Sequence, residues 1–309
     1  TIIGILLLWG CPRNEESPPP VASAPAVEWA FPSAEERPQG SAGERIQRGE
    51  RLLRETSSLI GPDAPADKRF AQNRMACASC HLENGRQPDA VGFVGIAHRY
   101  PRRWEALNRE VSLAERINGC LVRSLNGRPM PIDSPEIQAM VSYMTWLSSK
   151  VPAGRTVDGE GLLSIQLPER AADPIKGKQV YNYNCAACHG NQGQGQLKTP
   201  NQPAAGYVFP PVWGPDSYST GSAMYRVLTA ARYIYANMPL GRAVLTPEEA
   251  LDVAAYINTQ PHPSPTLSQP DYPNPATKPI DYPFGPFQDT FPESQHKLGP
   301  FGPLEAAAQ

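Results

Sequence analysis

Apolar positions between Glu44 and Leu59 recur at roughly helical spacing, at Ile46, Leu52 and Leu53 and then Ile60, and predict an amphipathic helix there. A second helix is predicted over Pro174 to Tyr183. Ser134-Pro135-Glu136 and Thr246-Pro247-Glu248-Glu249 each set a capping hydroxyl before a first-turn proline, a helix-start signature. The apolar sets that follow are Ile137, Met140, Val141, Met144 and Leu147 in one case, and Ala250, Leu251, Ala254, Ala255 and Ile257 in the other. Ser112 and Glu115 form a capping box for a further helix, which Asn126-Gly127 ends. No strand pattern stands out in either half, so the expected fold class is all-α.

These elements repeat. Each half runs through a lead-in helix, a cysteine pentapeptide, a loop and helix, a Met-Pro pair and a closing helix. Met130-Pro131 lies 49 residues after His81, and Met238-Pro239 lies 49 residues after His189. The pattern divides the chain into a first domain over residues 41–150, a Gly- and Pro-punctuated connector over 151–172, and a second domain over 173–262. This architecture resembles class I cytochrome c domains.

The ends differ in composition. The chain has 309 residues and 36 prolines, the latter concentrated near the two ends. Residues 263–309 are too proline-rich for long helices or central strands. They carry Tyr272, Tyr282, Phe284, Phe287, Phe291 and Phe301, too many aromatics for a solvated linker, and are expected to pack as an extended tail across the domains. Residues 1–10 read as the remnant of a signal peptide, with an apolar run from Ile2 to Trp9 too short to span a bilayer. Leu8-Trp9-Gly10-Cys11 resembles a bacterial lipobox, the alternative being an ordinary signal peptide cut elsewhere. A lipidated Cys11 would hold the protein to a membrane on the periplasmic side, with residues 11–40 as a flexible tether. The net charge of −2 supplies no basic field for nucleic acid.

The chemistry is concentrated in Cys77-Ala78-Ser79-Cys80-His81 and Cys185-Ala186-Ala187-Cys188-His189. Cys-x-x-Cys-His is the attachment pattern of a c-type haem, with two thioether bonds to the porphyrin and the histidine as proximal iron ligand. Two covalently bound haems c are therefore expected on Cys77, Cys80, His81 and on Cys185, Cys188, His189. Zinc or redox-dithiol readings do not explain why a histidine follows both pairs. For the second haem the upper ligand is expected from Met238, in a turn-rich loop. Met224, on a predicted helix with Val227, Leu228 and Ala231, and Lys198 are its rivals. For the first haem, symmetry suggests Met130, and Cys120 competes. On the predicted helix Arg116, Arg123 and Ser124 share the face of Cys120. A thiol beside two guanidinium groups is expected to favour thiolate, a soft iron ligand and nucleophile. The same thiol could equally be a small core residue beside Leu113 and Ile117.

Glu115-Arg116-Ile117-Asn118-Gly119-Cys120, continuing through Arg123-Ser124 and Asn126-Gly127-Arg128-Pro129, resembles the segment after the first haem pentapeptide of dihaem thiosulfate dehydrogenases. The run from Lys278 to Phe287, with Gln295-His296-Lys297 and Gly299-Pro300-Phe301, is similar to that family's C-terminus. The resemblance implies an oxidoreductase that joins two thiosulfates into tetrathionate, reversibly in some members, and passes electrons from the first haem to the second and on to an acceptor c-type cytochrome. By position it implies Cys120 as sulfur ligand and active-site thiol, Arg116, Arg123 and Ser124 as holders of the anionic substrate, and Met238 as ligand of the second iron. Arg99, Arg102, Arg103 and Arg109 could extend a cationic funnel. Some relatives carry a lysine just before the methionine. Here that position is Asn237, so no lysine-to-methionine exchange is expected. Two other readings are a pure dihaem electron carrier without a substrate site and a lipid-anchored subunit of a larger complex.

Overall fold

A computed structural model describes residues 25–308 of the chain. The apolar run and Cys11 lie outside them. The architecture is all-α, with two cytochrome c-like domains. In the first, the lead-in helix Gly40–Arg54 is followed by the short helix Thr56–Ile60, the cysteine-bearing helix Leu113–Arg123 and the closing helix Pro135–Leu147. In the second, the corresponding frame is Pro174–Asn184, Val227–Asn237 and Pro247–Asn258.

The caps form as the sequence dictates. Ser112 Oγ accepts from the Glu115 amide at 3.2 Å while the Glu115 carboxylate receives the Ser112 amide at 2.7 Å. Ser134 and Thr246 cap the two closing helices through the amides of Ile137 and Glu249. In both halves the lead-in helix crosses the closing helix at a glycine. A Cβ at Gly49 would collide with the carbonyl oxygen of Ala139, and one at Gly177 with that of Asp252. The repeat is therefore one of backbone approach as well as of sequence. Apolar faces of both halves, including Leu53, Ile137, Leu147, Tyr181 and Leu251, join in one continuous core. Burial of this kind stabilises by about 25 cal/mol for each Å² of apolar surface.

Three features depart from the sequence reading. Two short antiparallel ladders are present, Arg102–Trp104 with Arg109–Val111 and Gln196–Leu197 with Tyr207–Phe209. Strands of two or three residues are too short to reveal a period of two. Part of the expected tether is docked. Val27 bridges to Val157, the Trp29 indole donates to the Arg86 carbonyl at 2.7 Å, and Phe31 is partly buried against the core. Alternating apolar residues outweigh the Pro- and Ala-rich composition there. The tail packs across both domains and also carries two short helices, Glu293–Leu298 and Gly302–Ala307. Pro292 and Pro303 stand at their starts, where a missing N–H costs nothing.

Candidate active site

The first pentapeptide borders a cavity of about 330 Å³. Cys77 and His81 line it, with Phe93 and with Arg116, Ile117, Cys120 and Leu121 of the cysteine helix. Arg99, Tyr100 and Arg102 also line it, and among the described residues no Asp or Glu lines the space. The His81 imidazole lies 4.4 Å from the Phe93 ring, and its Nδ1 is 2.6 Å from the Val91 carbonyl. A carbonyl only accepts, so Nδ1 holds the proton and Nε2 keeps its lone pair. Burial pushes His81 down to about 4, which keeps the imidazole neutral and ligand-competent.

Cys120 shares this cavity. Arg116 Nη1 lies 2.9 Å from its sulfur. The electrostatic contact with Cys120 is the largest influence holding the Arg116 guanidinium above its ordinary value. That guanidinium also stands over Trp104, with Cζ 4.7 Å from the ring centroid. Gly119 makes this possible, because a Cβ there would strike the Trp104 ring. Trp104 and Tyr100 escaped the sequence reading, although an isolated glycine inside a helical pattern is itself a signal of close packing.

Arg123 and Ser124 correct the sequence-based expectation, because neither lines the cavity. Arg123 Nε bonds Asp271 of the tail at 2.8 Å, with Nη2 on the same carboxylate, and its guanidinium also stacks on Trp104. A buried carboxylate offers two strong acceptors where a thiol offers one weak one. Ser124 Oγ lies 3.2 Å from Ser222 Oγ, at the join between domains. Arg103 and Arg109 are likewise occupied, by Glu105 and Glu115 at the surface. Met130 is buried away from the cavity, and its backbone N–H and C=O are both held by the Asn118 amide at 2.9 and 2.7 Å. The thioethers that do line the first cavity are Met140 and Met144 of the closing helix.

The second pentapeptide borders a cavity of about 490 Å³. Cys185, Cys188 and His189 line it together with Met238, Met224 and Lys198. His189 Nδ1 lies 2.8 Å from the Pro210 carbonyl, which again leaves Nε2 as the basic nitrogen, and burial lowers this histidine. Met224 belongs to the short 3-10 turn Ala223–Tyr225 rather than to the helix that follows. Asn237, buried, donates to the carbonyl of Asp89 in the first domain. Ala76, Ala78, Ser79 and Cys80 also line this second cavity, so the first attachment loop is a wall common to both centres.

The donor chemistry fits haem c. Each cavity joins pentapeptide thiol and imidazole donors to a sulfur donor from another element. Arg99 and Tyr233, which line the first and second cavities, each keep one buried polar atom without a protein partner, Arg99 Nε and the Tyr233 hydroxyl. Among the described residues no three His, Cys, Asp or Glu side chains converge on a site for a lone metal ion, which sets zinc aside. Burial pushes Cys77 up to about 11 and Cys80 and Cys185 up to about 12, the opposite of a reactive dithiol.

Fold and site together define a dihaem c-type cytochrome, with two covalently bound haems c. Residues 175–261 match the family described as cytochrome c, and residues 67–153 match the SoxA/TsdA cytochrome c domain. The chain is 40% identical over 263 residues to a thiosulfate dehydrogenase of Allochromatium vinosum, covering 84% of this chain and 91% of that protein. It is 36% identical over 233 residues to one of Stutzerimonas stutzeri, covering 75% of this chain and 72% of that protein. A solved thiosulfate dehydrogenase (TsdBA) from Marichromatium purpuratum, in its "as isolated" form, superposes with a TM-score of 0.69 at 38% identity. That match covers 75% of this chain and 49% of that one, so the present chain accounts for about half of the solved polypeptide. The chain belongs to the thiosulfate dehydrogenase family.

Proposed function

We propose that this thiosulfate dehydrogenase joins two thiosulfates through their terminal sulfurs into tetrathionate, with release of two electrons, in the cavity between His81 and Cys120. His81 and Cys120 would hold the first iron, and His189 and Met238 the second. Bound haem supplies one-electron acceptors. The observation that supports the reading is a sulfur atom in an arginine-lined cavity: Cys120 and His81 line the same space, Arg116 lies 2.9 Å from that sulfur, and among the described residues no Asp or Glu lines it.

Thiosulfate is a dianion, and bringing two together requires fixed positive charge. Arg116 is held rigidly by its stacking on Trp104, so its fork is pre-organised toward a sulfonate. Arg102 reaches the same space and offsets the mutual repulsion of two anions, while Arg99, also on its wall, is paired with Glu160 at 3.1 Å. Tyr100 also lines this space. Leu113, Ile117 and Leu121 give the cavity apolar walls, and charge contacts are stronger beside such low-dielectric surface. The wall of residues 76–80 common to both cavities supports a short passage from the first centre to the second, and from there to an acceptor c-type cytochrome.

A dye-linked thiosulfate assay, with tetrathionate quantified as product, tests this on wild type, Cys120→Gly and Met130→Ala. Loss of turnover is expected in Cys120→Gly alone. Loss confined to Met130→Ala would overturn the assignment. We further propose export to the periplasmic side and anchorage through lipidated Cys11. A Cys11→Ala variant that stays in the membrane fraction would contradict that anchor.

A further inference from the structure

Asn237 ends the Val227–Asn237 helix and immediately precedes Met238. It is buried, and its side-chain amide donates twice. Nδ2 bonds the Tyr233 carbonyl at 3.0 Å within its own helix and the Asp89 carbonyl at 2.9 Å in the other domain. Both amide hydrogens are thereby committed.

Asp89 opens a three-residue stretch that ends at Val91, the residue whose carbonyl receives His81 Nδ1 at 2.6 Å. Asp89 and Val91 have φ of +55° and +49°. A β-branched residue in the left-handed region is a true outlier, and it persists only where its surroundings hold it. The holds here are named ones. The connector takes the two amides, Asp89 N to the Gly159 carbonyl at 2.7 Å and Val91 N to the Gly161 carbonyl at 2.9 Å. Asn237 takes the Asp89 carbonyl.

We infer that Asn237 is a positioning residue that couples the two haem sites, fixing the Met238 loop on one side and, through Asp89–Val91, the hydrogen bond to His81 on the other. This rests on the reading of His81 and Met238 as iron ligands. The bond from Nδ1 to a carbonyl sets how much electron density a ligating imidazole delivers to its metal. A displaced Val91 carbonyl weakens that bond, makes His81 a poorer donor and favours the reduced state of the first centre. One amide in the second domain therefore helps set the potential of the first.

The test uses the full dihaem protein, with the midpoint of each haem measured by spectroelectrochemistry and the two ferric haems separated by low-temperature EPR. In Asn237→Ala the first haem's midpoint is expected to rise and its EPR g-values to shift, although the substituted residue lies in the other domain. If haem content shows that Asn237→Ala fails to fold, Asn237→Leu, similar in size and without donors, decides the matter. An unchanged first-haem midpoint and EPR signal, with only the second haem perturbed, would overturn the inference. Failure of the ligand reading shows separately, as a wild-type ferric spectrum without a thioether-to-iron charge-transfer band that Met238→Ala abolishes.

Discussion

The first cavity is lined by Arg99, Arg102, Arg116 and Cys120, and the second, larger one by Met224, Met238, Tyr218 and Tyr233, with Lys198 at its edge. Both are bordered by a pentapeptide of the same Cys-x-x-Cys-His pattern, and in both the histidine is oriented by a backbone carbonyl. The lead-in and closing helices cross at equivalent glycines. One difference is the element that brings a further sulfur donor to each cavity. In the second domain a loop after a helix brings in a thioether. In the first, a helix capped by Ser112 and Glu115 brings in a thiol and a guanidinium together. On the function proposed above, a duplicated scaffold takes two roles through one changed covering element.

The most direct way to break this comparison is to make the coverings alike. Cys120→Met would put a thioether in place of the thiol, the kind of donor that Met238 brings to the second cavity. Thiosulfate oxidation is expected to fall on the order of a thousandfold, as when an active-site nucleophile is removed. Both haems should remain attached, because attachment depends on Cys77, Cys80, Cys185 and Cys188. Haem content and dye-linked turnover measured together check this. Near-normal turnover with a thioether in place would mean that the two cavities do not differ in the way proposed.

The repeat was legible because its parts are local. Caps, helix faces and pentapeptides each lie within a few residues, so spacing alone exposed the two domains. The candidate site was legible only in part. Arg116 and Cys120 stand four apart on one helix, and geometry brings them together as the spacing implies. Arg123 satisfies the same helical rule and is still drawn away, because Asp271 lies 148 residues further on and no local pattern announces it. Met130 shows the same limit. Its position repeats that of Met238, but Asn118 closes on its backbone and turns it into the core. Periodicity reports which face a residue occupies, while the partner on that face is a tertiary fact.

Arg123 therefore sharpens the contrast in another direction. Its pair with Asp271 leaves the side chains only 12% and 4% exposed. Removing the guanidinium strands a buried carboxylate, and Arg123→Leu should destabilise by about 3 kcal/mol. Thermal or denaturant unfolding of the holoprotein measures this. Arg116→Leu should behave differently. A hydrogen bond to a charged group is worth roughly 1.5–3 kcal/mol, which corresponds to a roughly ten- to hundredfold loss in kcat/KM with little loss of stability. If the Arg123 variant lost activity in proportion while keeping its stability, the tail pair would be part of substrate binding after all.

The smallest effects are expected from Arg103 and Arg109, which the sequence alone does not distinguish from Arg99 and Arg102. Arg103 pairs with Glu105 at 2.8 Å and Arg109 with Glu115 at 2.7 Å, both with about half their side chains in solvent. Exposed pairs of this kind contribute about 0.2–1 kcal/mol, and their fields are screened by salt. The double substitution Arg103→Ala with Arg109→Ala should change KM for thiosulfate by about twofold or less at physiological salt. Any larger change should appear only at low ionic strength, as expected for long-range steering. Arg102→Ala, which removes a cation lining the cavity, should raise KM at both salt concentrations. Equal behaviour of the two variants across the salt series would show that cationic density around the first domain acts as a diffuse field, and that the cavity's particular arginines have no privileged part in holding the anion.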